Sequence, residues 1–191
     1  MKPVRAMLVG LVSALVLAGL VATASAAWLS SSELALIAGW ERMDIAGGFG
    51  TVECTLVLEN VLHRSIFTKT VNSLIGYVQY ANISSCRRGS ATVLRETLPW
   101  HIRYRSFTGI LPRLTSLSLL VTGIAFRIRE PIFGFIYLTG PGQSMYETMN
   151  IGSGVVSSVS LGGNITTEAG ISGTVSGTSS SVLPTVTIRL I

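Results

Sequence analysis

The sequence holds few side chains suited to acid–base or nucleophilic catalysis. Its two histidines, His63 and His101, lie far apart in the chain, and Asp44 is its single aspartate. A serine hydrolase of the common α/β type carries its nucleophile in a Gly-x-Ser-x-Gly turn. Ser144 follows a glycine at the right distance, but Tyr146 stands where the second glycine is required. We therefore expect no catalytic residues of this class.

Two other kinds of chemistry are equally poorly represented. Glu53 and Glu96 would form a glycosidase-like carboxylate pair only if the fold brought them together, which the sequence does not indicate. No His or Cys pair has metal-ligand spacing, no Asp-rich loop suits calcium, and the glycine-rich tail lacks a phosphate-binding lysine. The sequence therefore predicts no metal, no cofactor and no enzyme, with a hydrolase or carbohydrate-active enzyme as the alternative.

The most suggestive pattern is cationic and occupies residues 98–107 (LPWHIRYRSF) and 126–129 (FRIR). Alternate side chains of a strand point to opposite faces of its sheet. If the two segments are neighbours, this alternation predicts one outer face that holds His101, Arg103, Arg105, Arg127 and Arg129. Such a face would bind an anionic polymer, a lipid head group or the acidic patch of a partner. The alternative is a solvated face on which the arginines pair with Glu96 and Glu130.

The apolar side of the first segment carries Trp100, Ile102 and Tyr104. Trp100 is predicted to be a core anchor, as large aromatic residues often are in β-sandwiches. The functional alternative is a platform on which a sugar ring stacks. The two interpretations differ in one observable property, the solvent exposure of the indole ring.

Residues 1–26 have the features of a secretory signal peptide. Lys2 and Arg5 supply positive charge, residues 7–21 are apolar apart from one serine, and an Ala-Ser-Ala cleavage site ends at Ala26. We expect a signal helix that is cleaved, and hence a secreted or cell-envelope protein. The alternative is an uncleaved membrane anchor, because the apolar stretch is just long enough to span a bilayer.

Export changes how the charge and the cysteines are interpreted. The chain has 14 Lys+Arg and 9 Asp+Glu, a formal net charge of +5. Loss of Lys2 and Arg5 lowers this to about +3, which is ordinary for a soluble domain and gives no argument for nucleic acid.

Cys54 and Cys86 are the only cysteines. In an exported chain an even pair predicts a disulfide, and the alternative is two buried free thiols.

Most elements that would position these residues are predicted to be strands. Residues 27–50 are expected to form a leader that is either a short helix beginning near Ser30 or a poorly ordered stretch with an early strand. From Thr51 to residue 191 the two-residue period of half-buried strands dominates and defines the β-domain. Gly123 separates two alternations that are out of step, which predicts a β-bulge at this position.

The C-terminal part of the β-domain is rich in Gly, Ser and Thr. Regularly placed apolar residues within residues 151–182 predict thin strands with small polar outer faces, and the alternative is a disordered linker. Short strands joined by Gly, Pro and Ser turns predict an all-β, single-domain antiparallel β-sandwich. A closed β-barrel is the alternative.

The chain contains a set of short segments at residues 53–56 (ECTL), 73–78 (SLIGYV), 89–94 (GSATVL), 98–101 (LPWH) and 106–112 (SFTGILP). Together they resemble a group of small exported proteins of high-GC actinobacteria that has no assigned activity. The likeness extends over roughly residues 54–126. It implies an exported β-rich domain with one disulfide, and it carries over no catalytic residues.

Together these features predict a non-enzymatic exported domain that binds or scaffolds at or outside the cell envelope. An anionic envelope polymer or another exported protein is the expected partner, and a membrane only if the N-terminal segment is uncleaved. A hydrolase or carbohydrate-active enzyme would need a cleft that joins a histidine to a carboxylate and a hydroxyl. A β-barrel carrier of a small apolar ligand would need an empty apolar interior.

Overall fold

The protein is built from strands that range from 3 to 14 residues. A computed structural model describes residues 28–110, 113–140 and 142–191, so the predicted signal helix in residues 1–26 lies outside the described residues. The only helical element described is a 3₁₀ turn at Arg95–Thr97, and no helix among these residues is long and apolar enough to cross a membrane. The strands are β1 Trp28–Ser31, β2 Ala35–Gly47, β3 Gly50–Leu62, β4 Ile66–Thr68, β5 Leu74–Arg87, β6 Ser90–Val93, β7 Trp100–Ile110, β8 Arg113–Ile124, β9 Phe126–Arg129, β10 Ile136–Leu138, β11 Gln143–Gly152, β12 Val155–Thr166, β13 Ser172–Thr178, β14 Ser181–Leu183 and β15 Ile188–Leu190.

The large sheet closes on itself. Nine strands lie in the antiparallel order β13-β12-β11-β8-β7-β5-β3-β2-β14, and β13 also pairs with β2. All of these strands except β14 therefore form a ring, which leaves no free edge within it. The all-β antiparallel fold is confirmed, and the closure gives the barrel-like arrangement that stood as the alternative to a sandwich.

Glycines in the C-terminal segment allow this closure. A Cβ atom on Gly173 would lie 2.6 Å from the carbonyl oxygen of Ala46, and one on Gly177 would lie 2.9 Å from that of Arg42. These distances are too short for any side chain, so β13 can approach β2 this closely only with glycine at both positions. The Gly/Ser/Thr-rich residues 151–182 are thus strands of the ring, as the interpretation with thin strands predicts.

Two small sheets extend the ring at its ends. The strands of one follow the order β10-β9-β6 and come from the connections β5–β7 and β8–β11. These connections lie at the end of the ring that carries the β2–β3 turn at Gly47–Gly50. The other small sheet has the order β15-β1-β4 and lies at the opposite end, where β2 begins and β3 ends. Each small sheet covers one end of the interior.

The interior of the ring is filled by side chains from alternate positions of every strand. Trp40 and Trp100 are the largest fully buried residues. The Trp40 indole Nε1 donates a hydrogen bond to the Val159 carbonyl oxygen at 3.0 Å, which ties β2 to β12. The predicted disulfide is confirmed, since Cys54 of β3 and Cys86 of β5 are bonded between neighbouring strands.

The segment 28–50 forms neither a short helix nor a poorly ordered leader, although the early strand of the alternative interpretation is present. It contains β1 and β2, and β2 pairs with both β3 and β13. Its apolar residues alternate with exposed ones along β2, so Ala38, Trp40 and Ile45 lie inside the ring. Long-range pairing therefore outweighs the local helix-start signal near Ser30.

The predicted β-bulge at Gly123 is present. On β11, Ser144 pairs with Thr122 while the adjacent Gln143 pairs with Ile124, so Gly123 is the extra residue of the ladder. Gly123 has φ +89°, a conformation that glycine adopts without steric cost. The bulge changes which face the following residues point to and lets the chain leave the ring as β9.

Candidate functional site

The cationic residues of β7 lie on the outer face of the ring, as the alternation predicts. Trp100, Ile102 and Tyr104 are buried, whereas His101 and Arg105 are exposed and Arg103 is half-buried. His101 pairs with Tyr77 of β5 and Thr122 of β8, and Arg103 pairs with Leu74 and Leu120. The Arg103 Nη1 atom donates a hydrogen bond to the Asn72 carbonyl oxygen at 2.8 Å, which fixes one side of the guanidinium.

Arg127 and Arg129, the other two arginines of the predicted face, do not lie on a strand next to β7. Arg127 and Arg129 are exposed on β9, which pairs with β6 and β10, whereas β7 pairs with β5 and β8. The two groups thus lie in different sheets, and the single face of five cationic residues expected from the sequence is divided. The cause is that the chain leaves the ring after the Gly123 bulge, so the repeated alternation belongs to a separate small sheet.

The arginines of both groups lack the carboxylate partners that the alternative interpretation assigned to them. Among the described residues, the salt bridges link Arg42 to Asp44 and Glu53, and Arg88 to Glu53. Neither Glu96 nor Glu130 lies within salt-bridge distance of Arg103, Arg105, Arg127 or Arg129 in this part of the chain. None of these four arginines is therefore paired with a carboxylate of the described residues, which leaves their charge available to an anionic ligand.

A ladder of aromatic rings that the sequence analysis did not find crosses the outer face next to Arg103. The His63 ring lies 4.7 Å from the Tyr77 ring, and Tyr77 lies 5.3 Å from the His101 ring, measured between centroids. His63 directly follows β3, while Tyr77 belongs to β5 and His101 to β7, so only the strand order brings the three residues together. A surface groove of about 270 Å³ begins at His63 and is also lined by Arg64, Trp28 and Ile66.

Trp100 belongs to the core and not to a binding platform. Its side chain is fully buried and meets the Phe126 ring edge-on at a centroid distance of 5.8 Å. The indole Nε1 donates a hydrogen bond to Thr97 Oγ1 at 2.9 Å, so its polar group is satisfied inside the protein. With no exposed ring face, the residue cannot stack on a sugar.

The interior holds one carboxyl group that the sequence analysis did not single out. Glu147 of β11 is fully buried and accepts a hydrogen bond from Asn60 Nδ2 of β3 at 2.6 Å, across the ring. Burial raises the pKa of Glu147 to about 7, and the hydrogen bond from Asn60 offsets this only in part. The sequence signal was available, because Met145, Glu147 and Met149 share one face of the strand.

The Asn60–Glu147 pair lies inside the ring, where side chains fill nearly all of the space. Asn60 Oδ1 and Glu147 Oε1 are buried and have no hydrogen-bond partner in the part of the chain that the structure describes. A cavity of about 20 Å³ between the ring and the β15-β1-β4 sheet is lined by Asn60 and by apolar side chains such as Leu36 and Ile188. This volume suffices for one water molecule, whereas pockets for small organic ligands span about 300–1,000 Å³.

Potential catalytic and metal-binding groups are scattered in the described part of the chain. Within residues 28–110, 113–140 and 142–191, no three His, Cys, Asp or Glu side chains lie close enough to hold a metal ion. Neither His63 nor His101 forms a side-chain hydrogen bond with a carboxylate or hydroxyl within these ranges. Glu53 binds Arg42 and Arg88, while Glu96 lies in the 3₁₀ turn.

Comparison with known proteins does not add a relative to this description. No protein-family model matches the chain, and neither a curated protein nor a solved structure shows significant similarity to it. The resemblance to exported actinobacterial proteins accordingly stays a prediction.

Proposed function

We propose that the protein is an exported, non-enzymatic binding domain that holds an anionic polymer of the cell envelope on the outer face of β5 and β7. This surface, called the cationic face below, consists of His63, Tyr77, His101, Arg103 and Arg105. The observation that carries the proposal is the placement of the His63–Tyr77–His101 ladder beside arginines that have no salt bridge in the described residues.

The chemistry of the cationic face suits a polymer that combines sugar or polyol units with negative charge. A guanidinium presents a planar set of donors that matches phosphate and carboxylate groups in pairs. The faces and edges of His63, Tyr77 and His101 supply apolar contact area for the uncharged part of a repeat unit. Because the ladder runs across three strands, it offers several such contacts to an extended chain.

The interior of the ring gives less support to the other two functions. A carrier of an apolar ligand needs an internal cavity far larger than about 20 Å³. An enzyme needs a base and a nucleophile within hydrogen-bond reach of each other, and the two histidines lie on an open outer surface. We therefore assign the binding role to the surface and a structural role to the interior.

The disulfide supports the exported location. A bond between Cys54 and Cys86 persists in an oxidising compartment, whereas cytosolic reductants keep most thiols reduced. Together with the predicted signal peptide in residues 1–26, the bond favours a site of action at the envelope or outside the cell. There the cationic face would meet phosphate- or carboxylate-bearing polymers.

The proposal is tested by retention on immobilised poly(glycerol phosphate) and on an immobilised polyuronate. We expect the double substitution Arg103→Ser and Arg105→Ser to weaken binding by about tenfold, because two charge-assisted contacts are lost. The control is Arg95→Ser with Arg189→Ser, which removes the same charge from exposed sites outside the cationic face. Equal retention of both double variants on both polymers would show that net charge, and not this surface, governs binding.

A further inference from the structure

The connection between β9 and β10, with the first residue of β10, carries the densest run of exposed large apolar side chains among the described residues. Ile132 is 78% exposed, Phe133 77%, Phe135 61% and Ile136 63%. Single exposed apolar residues are common on soluble proteins, but four large ones in five consecutive positions are not. This segment, residues 132–136, is called the apolar tip below.

The apolar tip has a fixed backbone shape. The carboxylate of Glu130 accepts hydrogen bonds from the backbone N–H groups of Ile132 at 3.0 Å, of Phe133, and of Gly134 at 3.2 Å. Glu130 itself is buried, and its own N–H donates to the Phe135 carbonyl oxygen at 2.7 Å. One buried acid thus organises the whole turn.

This arrangement removes the main obstacle to contact with lipid. A turn normally exposes backbone N–H groups, which need water and which are costly to move into an apolar medium. Here the donors at positions 132, 133 and 134 already have an internal acceptor. A bilayer offers fewer hydrogen-bonding groups than the surface of a protein partner does, so this internal pairing favours a lipid surface.

Cationic side chains lie at the base of the apolar tip. The guanidinium of Arg129 lies against Gly134, where an added Cβ would be 3.3 Å from Nη2. Arg127 is exposed two residues earlier on the same strand, and neither arginine has a salt bridge among the described residues. Apolar side chains at a tip with arginines behind them complement a bilayer whose head groups carry phosphate.

We propose that the apolar tip is an interfacial anchor that inserts into the head-group region of an anionic membrane, with Arg127 and Arg129 on the lipid phosphates. This goes beyond the proposed polymer binding, because the apolar tip belongs to the small β10-β9-β6 sheet and the cationic face to β3, β5 and β7. A protein with both surfaces would connect an envelope polymer to a membrane.

The experiment measures binding of the full chain to vesicles of phosphatidylcholine alone and to vesicles that contain phosphatidylglycerol. We expect Phe133→Ser with Phe135→Ser to weaken binding to the anionic vesicles by at least about tenfold, because two aromatic side chains leave the interface. The matched control, Ile110→Ser with Leu183→Ser, removes two apolar side chains that are 88% and 63% exposed elsewhere. All variants keep residues 1–27, so any membrane affinity of that segment is common to them.

A second measurement reports directly how deeply the apolar tip enters the bilayer. In Phe133→Trp, the introduced indole is expected to shift its emission to shorter wavelength on anionic vesicles and to be quenched by lipids brominated on their acyl chains. The parent protein supplies the background of the native tryptophans. Absence of quenching, or equal loss of binding in the tip and control variants, would overturn the proposal. Concentration-dependent self-association that only the tip variant loses, without a change in vesicle binding, would overturn it in favour of a second copy of the chain.

Discussion

Glu147 lies fully buried inside the ring, where a charged carboxylate is unfavourable. Its pKa is raised to about 7, so the folded protein binds a proton that the unfolded chain releases near the ordinary value of 4.5. The stability contribution is therefore fully present below pH 4.5 and is lost as the pH rises through about 7. The neutral acid also gains a donor, which suits the unpaired oxygen of Asn60.

We predict that the protein is less stable at pH 8 than at pH 5 by about 3 kcal/mol on account of Glu147, as an order of magnitude. Urea unfolding at the two pH values measures this difference. Glu147→Gln, which is neutral at both, should reduce the difference and raise stability at pH 8. Glu168→Gln is the control, because Glu168 is exposed. If the parent and Glu147→Gln show the same dependence of stability on pH, Glu147 is not the cause of that dependence.

At the scale of single residues, the sequence predicts well which face of the sheet a side chain points to, and it predicts poorly which residues that side chain contacts. Alternation correctly places His101 outside and Trp100 inside, because the two-residue period is a local property of a strand. Alternation does not predict the contact between the His63 and Tyr77 rings, since that contact depends on which strands pair. The inward position of Glu147 follows from its place between two inward methionines, whereas its contact with Asn60 depends on the strand order.

At the scale of elements, the disulfide joins β3 and β5, which are already neighbours in the ring. Its main contribution therefore comes from restricting the unfolded chain, across a sequence separation of 32 residues.

We predict that Cys54→Ala with Cys86→Ala lowers the free energy of unfolding by about 3–4 kcal/mol on the chain-entropy model. Urea unfolding of the double variant checks this, and the parent under reducing conditions should show a comparable loss. A loss below about 1 kcal/mol would mean that residual structure already restricts this segment in the unfolded chain.

Strand order limits what element-level patterns can predict. Residues 126–129 repeat the alternation of residues 101–105, and the shared outer face was conditional on these strands being adjacent. The Gly123 bulge instead directs β9 out of the ring and into a sheet with β6 and β10. Likewise, the sequence near Ser30 favours a helix start locally, but pairing of β2 with β3 and β13 produces a strand. Periodicity specifies faces, whereas pairing partners are set by the closure of the whole sheet.

At the scale of the whole molecule, the pairing of β13 with β2 determines whether the interior is enclosed. Without it, the large sheet would have two free edges, and the apolar residues that β2 and β13 direct inward would be exposed to water. The composition of the C-terminal segment suggested thin strands but not their partner. The need for glycine in this segment follows from the close approach of β13 to β2. A Cβ added at Gly177 would lie 2.9 Å from the Arg42 carbonyl oxygen.

We therefore predict that Gly177→Val destabilises the protein by about 2 kcal/mol or more, because the added side chain forces the backbones of β13 and β2 apart. Gly162→Val on the adjacent strand β12 is the matched control, since an added Cβ there meets nothing within 4 Å. Urea unfolding measures the stabilities, and hydrogen exchange measures protection of the β13 amides. Reduced protection confined to β13 and the strands beside it is expected for an opened ring. Equal stability of the two valine variants would mean that β13 can shift without loss of closure.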